Sequence, residues 1–128
     1  MVSSQPRDVV AVVEDDAGVR DAIQGLLHSQ GLKTRCFASA EQFLKSSRVR
    51  PACLILDLHL PGMTGLELLR KLRSDGREIP AICVSGELQG DRRMQAQLLR
   101  AGAVAVLAKP FDPEKLLHLV ESALGKDP

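Results

Sequence analysis

The sequence predicts a doubly wound α/β domain in which five parallel strands alternate with five helices. Two observations carry the prediction. Five short apolar runs recur along the whole chain, and each is followed by a stretch whose apolar residues return at helical spacing. That alternation calls for a parallel sheet with helices packed on it, and right-handed crossovers leave few topologies for it. A length of 128 residues suits one compact domain rather than two.

The elements follow in order. Val9-Val10-Ala11-Val12-Val13 forms the first strand and runs into Glu14-Asp15-Asp16. Val19, Ile23, Leu26 and Leu27 then share a helical face, with Asp16 as cap or first-turn acid and Gly31 as the stop. Leu32 to Phe37 reads as the second strand. Ser39 stands three residues before Gln42, the capping-box arrangement, and opens a short helix carrying Phe43 and Leu44. Pro51 punctuates before the third strand, Ala52 to Leu56, which runs into Asp57. A turn at Pro61-Gly62 leads to a helix carrying Leu66, Leu68, Leu69 and Leu72. Pro80 introduces the fourth strand, Ala81 to Val84, which runs into Ser85. Asp91 caps a helix with Met94, Leu98 and Leu99 on one face, ended by Gly102. Ala103 to Ala108 is the fifth strand and meets Lys109-Pro110. The last helix starts at Pro113, a favoured first helical position, and carries Leu116, Leu117, Val120 and Leu124. Residues 1–124 make up the domain, and 125–128 read as the opening of a linker.

Composition narrows the function classes. Hydrophobic residues at 45% and charged residues at 26% match an ordinary globular protein. With three Phe and no Trp or Tyr, the core must come from Leu, Val, Ile and Ala. A net charge of +1 gives the chain no general attraction to nucleic acid or anionic membrane. No apolar stretch approaches the roughly 20 residues of a membrane span. The first eight residues lack the apolar segment of a secretory signal, so a cytoplasmic location is expected. Cys36, Cys53 and Cys83 are odd in number and lack close metal-type spacing. Buried, reduced thiols are expected. His28, His118 and the Arg92-Arg93 pair are expected on solvated faces.

Parallel strands bring their ends to one edge of the sheet, where open α/β folds place ligands. Asp57, ending the most apolar strand, is the candidate nucleophile toward phosphorus, forming an acyl phosphate. Glu14 and Asp15 are placed to hold a Mg²⁺ (or Mn²⁺) ion, which binds through a few carboxylates and water. Three carboxylates against the single Lys109 leave two excess negative charges, which a divalent cation cancels. Lys109, the Ser85 hydroxyl and the Gly86 N–H are the candidate donors to phosphoryl oxygens.

Four motifs at strand ends, Val-Val-Glu-Asp-Asp (12–16), Leu-Asp-Leu-His-Leu-Pro-Gly-Met-Thr-Gly (56–65), Val-Ser-Gly (84–86) and Lys-Pro-Phe (109–111), occur in order. Through them the chain, from Val9 to Leu124, resembles the receiver domain of bacterial two-component response regulators of the FixJ type. The resemblance implies a flavodoxin-like (βα)5 fold with strand order 2-1-3-4-5. It implies that Asp57 accepts the phosphoryl group of a sensor histidine kinase's phospho-imidazole. The metal would be bound by Asp15, Asp57 and the His59 main-chain carbonyl, with Glu14 acting through water. Lys109 would contact the phosphoryl group and precede a cis Pro110, and Ser85 would be the switch hydroxyl. His59 and Glu87, beside Gly86, are expected to modulate the phosphorylated lifetime.

The chain is thus expected to be a phosphoacceptor switch, an enzyme only toward its own phosphorylation and dephosphorylation. Its expected partners are the kinase, a downstream output domain that binds DNA, and a second copy upon phosphorylation. One departure stands out: Val106 occupies a position where many receivers carry Tyr or Phe. No ring is present to swing inward, so the switch surface is assigned to Leu88, Met94 and Val106. A haloacid-dehalogenase-type phosphatase also uses a strand-end Asp with Mg²⁺. It usually places that Asp after the first strand with a second Asp two residues on, whereas here His59 holds that place. A flavin binder would need a phosphate-cradling first loop, and Glu14-Asp15-Asp16 would repel a phosphate.

Overall fold

In a computed structural model that describes residues 9–46, 50–86 and 91–125, the five strands are β1 (Val9–Val13), β2 (Lys33–Phe37), β3 (Cys53–Asp57), β4 (Ala81–Ser85) and β5 (Ala103–Ala108). They form one parallel sheet in the order β2-β1-β3-β4-β5. Between and after them come α1 (Ala17–His28), α2 (Ala40–Lys45), α3 (Gly65–Ser74), α4 (Arg92–Arg100) and α5 (Pro113–Ala123). Every residue of β3 and β4 is buried, as central strands covered on both faces require.

Alternate strand residues serve two cores. Val10, Val12, Cys53, Ile55, Ile82 and Val84 pack with Ile23 and Leu27 of α1 and Leu116 and Val120 of α5. Ala11, Val13, Leu54, Leu56, Ala81 and Cys83 pack with Phe43 of α2, with Leu68, Leu69 and Leu72 of α3, and with Leu98 of α4. Phe37 meets Phe43 edge-to-face at 5.3 Å. Each Leu or Ile so buried contributes about 1.5–3 kcal/mol. The helices are thereby held against a rigid sheet whose carboxyl ends carry the polar residues.

Side-chain caps set the helix starts. Asp16 Oδ1 accepts from the N–H of Gly18 and of Val19, and Asp91 and Asp112 cap α4 and α5. Ser39 caps α2 through Gln42 N–H, but the expected reciprocal bond differs. Gln42 Oε1 accepts from Ala38 N–H at 3.0 Å, one residue before the cap. The complete capping box belongs to α3, between Thr64 and Glu67. Its sequence signal, Thr followed three residues later by Glu, was equally available.

The two sheet edges differ in chemistry. On β2, Lys33 and Arg35 are exposed, the charged protection expected of an edge. On β5 a bulge opens between Ala103 and Ala105, leaving Val104 55% exposed. Cys53 and Cys83 are buried as expected, and burial pushes both thiols up to about 12. Cys36 is only half-buried, a correction that follows from its place on an edge strand. His28, His118 and the Arg92-Arg93 pair are exposed. No helix among the described residues is long and apolar enough to cross a membrane.

Candidate functional site

Register places the acids. Val13 pairs with Leu56, so Glu14 and Asp57 leave the sheet side by side. Asp57 in turn pairs with Val84, and Ser85 with Ala108. The backbone continues these ladders past the strand ends: Glu14 N–H donates to the Phe37 carbonyl, Leu58 N–H to Val84 and Lys109 N–H to Ser85. The Asp57, Ser85 and Lys109 backbones are therefore locked at neighbouring strand ends before any side chain is considered.

The side chains then converge. Carboxylate oxygens of Glu14, Asp15 and Asp57 lie within 4.8 Å of one another. Glu14 and Asp57 are buried, at 1% and 4% exposure, while Asp15 is exposed. Lys109 Nζ lies 2.8 Å from Glu14 Oε1 and 3.6 Å from Asp57 Oδ1. His59 N–H donates to Asp57 Oδ1 at 3.3 Å. The remaining Glu14 oxygen accepts from Asp16 N–H. Ser85 is fully buried and Gly86, just beyond it, is exposed. A cleft of about 340 Å³ opens beside them, lined by His59, Thr64, Ser85, Asp91 and Met94 among others.

Charge and burial set the protonation. Desolvation of the Asp57 carboxyl, then its hydrogen bond with Glu14 and the charge of Glu14, push its pKa up to about 6. Lys109 and the His59 N–H pull it back only in part. Burial opposes the Lys109 ammonium, yet the Glu14 hydrogen bond and the two carboxylates outweigh it and raise its pKa. Crowded carboxylates offset by one ammonium form a site that a divalent cation would relax. Hard carboxylate oxygens gathered within 4.8 Å are the kind of donor set that Mg²⁺ takes up together with water.

Three contributors were not singled out from the sequence. Arg20 Nη1 donates to the Glu14 carbonyl at 2.8 Å, holding the loop that presents Glu14. Asp16 caps α1 and Asp21 adjoins Arg20, so no charge pattern in the sequence set Arg20 apart. Gly65 packs so tightly on β3 that a Cβ would overlap the Asp57 carbonyl oxygen. Glu41 reaches over from α2 to the loop after β3. Met94 and Val106 each pack against the core on the α3/α4 side of the sheet, and Val106 is not among the acidic cluster of Glu14, Asp15 and Asp57. Glu87 and Leu88 lie outside the described residues. The Lys109–Pro110 peptide is cis, as the resemblance implied.

The family model for the response regulator receiver domain matches residues 10–121. This chain belongs to that family. Among curated relatives, the receiver is 40% identical over 121 residues to the response regulator protein TmoT of Ectopseudomonas mendocina, covering 94% of this chain and 54% of TmoT. The chain thus spans about half the length of the curated relatives it matches. Among solved structures, it is 34% identical to FixJ-N, with a TM-score of 0.81, covering 94% of this chain and 95% of that one. A receiver domain of a Pseudomonas aeruginosa PAO1 sensor histidine kinase is 29% identical with a TM-score of 0.80, covering 93% and 98%. That protein was solved with a magnesium ion coordinated in its active-site cleft. The receiver fold and strand order expected from sequence are those observed.

Proposed function

We propose that this receiver accepts a phosphoryl group onto Asp57 from the phospho-imidazole of a sensor histidine kinase. The observation that carries the reading is the buried Asp57 carboxylate set among Glu14, Asp15 and Lys109. Asp15, Asp57 and the His59 carbonyl would hold Mg²⁺ (or Mn²⁺), with Glu14 acting through water. The ion supplies charge neutralisation on the phosphoryl oxygens. An Asp57 oxygen forms a bond to phosphorus while the P–N bond breaks, and the imidazole nitrogen leaves with the electron pair. Lys109 shifts from its shorter contact with Glu14 toward a phosphoryl oxygen. Ser85 donates its hydroxyl to another, and Gly86 its N–H. Water later attacks the acyl phosphate, at a rate modulated by His59 and Glu87.

An apolar groove of about 770 Å³, walled by Val19, Leu26, Phe111 and Lys109 among others, adjoins the pocket and supports docking of the phosphodonor protein. On the far side of the sheet, phosphorylation draws Ser85 inward, and Met94 and Val106, with Leu88, repack. Leu99 and Val104, exposed at 53% and 55%, give that face apolar area for a second copy. In the longer protein this change would govern a DNA-binding output domain, since named relatives include transcriptional regulatory proteins. Catalysis is confined to the receiver's own phosphorylation and dephosphorylation, in the cytoplasm.

Labelling with acetyl phosphate or phosphoramidate tests the reading. The parent chain should label only with Mg²⁺ present, and Asp57→Asn should not label. Label on Asp57→Asn equal to the parent's would end the assignment.

A further inference from the structure

The loop between β3 and α3 carries the His59 carbonyl, and it is held at two places by different means. At its base, Gly65 N–H donates to the Leu58 carbonyl at 3.1 Å, and Leu58 and Leu60 are each only 7% exposed. The outer turn is anchored less firmly, since Pro61 and Gly62 are exposed and only Met63, half-buried, packs against the core. A side chain from another element holds it instead. Glu41 on α2, 22 positions earlier than Met63, accepts the Met63 N–H through Oε2 at 2.8 Å.

Gly62 is shaped to this contact. Its φ is +74°, and a Cβ there would lie 2.6 Å from Glu41 Oε2, so the carboxylate rests directly over the glycine. That Met63 hydrogen bond also holds the Glu41 carboxyl below the usual carboxylate range. A turn held by one side-chain hydrogen bond and the partial burial of Met63 opens more easily when the hydrogen bond is lost. Mg²⁺ demands near-ideal octahedral geometry, and groups that orient ligands from behind govern its affinity.

We propose that Glu41 is a positioning residue for the cation site: by pinning the Gly62-Met63 turn, it presents the His59 carbonyl alongside Asp15 and Asp57. The inference rests on the cation-dependent reading of the pocket and extends it to a residue on α2 that touches neither cation nor phosphoryl group. What matters is the reach of an acceptor oxygen, not the negative charge. Two conservative variants separate these. Glu41→Gln keeps an acceptor oxygen at the same reach and loses the charge, whereas Glu41→Asp keeps the charge one methylene short.

The test is Mg²⁺ titration followed by NMR, with amide exchange at Met63 recorded on the same samples. Glu41→Asp should bind Mg²⁺ about tenfold more weakly than the parent and exchange the Met63 amide faster. Glu41→Gln should stay within about twofold of the parent in both, because exposed charges beyond contact are screened. In acetyl phosphate labelling, Glu41→Asp should raise the half-saturating Mg²⁺ concentration and leave the rate at saturating Mg²⁺ unchanged. Parent-like Mg²⁺ affinity in Glu41→Asp overturns the proposal, as does a Glu41→Gln as weak as Glu41→Asp. A parent chain that binds no Mg²⁺ would overturn the site reading beneath it as well.

Discussion

Asp57 is a carboxylate kept where a carboxylate is least comfortable, and its pKa of about 6 records that burial and the neighbouring Glu14. A carboxyl whose pKa is raised on folding lends stability that is complete below its ordinary value near 3.8 and is lost as pH rises through about 6. In a chelating buffer, urea unfolding should therefore show the Asp57 contribution being lost from pH 4 to pH 7, roughly 2 kcal/mol. Asp57→Asn should flatten that slope, and Mg²⁺ should restore stability at pH 7 by binding the folded state alone. A parent and an Asp57→Asn variant with the same pH slope would show that the Asp57 carboxyl is not strained. His59 is a second residue whose place predicts a measurable effect. Its N–H already bonds Asp57, and the exposed residue lines the cleft beside Ser85. His59→Ala and Glu87→Ala should each change the dephosphorylation half-life of labelled chain several-fold, on the order of a general acid–base contribution or less. Parent-like half-lives in both would remove the modulating role. Asp57, Glu14, Asp15 and Lys109 were legible in the sequence because each follows a strand, where position along the chain and position in space coincide. That Lys109 sits nearer Glu14 than Asp57 was not legible, since it depends on tenths of an ångström between three strand ends.

Among the elements, α3 illustrates how one helix organises its surroundings from both ends. Its amino end is closed by the Thr64–Glu67 box, beside the loop that carries His59. Near its carboxyl end Arg73 donates to the carbonyls of Arg77, Ile79, Ala101 and Gly102, at 2.7–3.3 Å. One guanidinium thus ties α3 to the approach to β4 and to the turn before β5. Lysine has a single ammonium and cannot span four acceptors in a plane. Arg73→Lys should lower stability by about 2 kcal/mol in urea unfolding, with labelling of Asp57 retained. A loss well under that would mean the carbonyls find water instead. Nothing in the sequence flagged Arg73, because helix periodicity reports which face is apolar and not which backbone groups end nearby. The Ser39-Gln42 pair shows the same limit from the other side: its spacing matched a capping box, while the local chain path directed Gln42 to Ala38.

For the whole molecule, the asymmetry between sheet edges argues for assembly on one side. Charges guard β2, whereas β5 carries none and presents Val104 to solvent, with Leu99 exposed on α4. Sedimentation should show the chain shifting toward a dimer when a phosphate mimic such as beryllofluoride is bound with Mg²⁺. Val104→Lys should suppress that shift without affecting labelling. Unchanged sedimentation, with and without the mimic, would rule out self-association by this route. The order of apolar runs, their punctuation and the acids, serine and lysine at their ends were determined by the sequence alone, because a parallel sheet turns strand ends into neighbours. The expected strand order already put β2 and β5 at the edges, and tertiary structure alone decided what those edges leave uncovered, the half-buried Cys36 and the bare Val104. It also decided the contacts of Glu41 with Met63 and of Arg73 with Ala101 and Gly102, because residues 22 to 29 positions apart meet through packing of separate helices and loops, which no local pattern encodes.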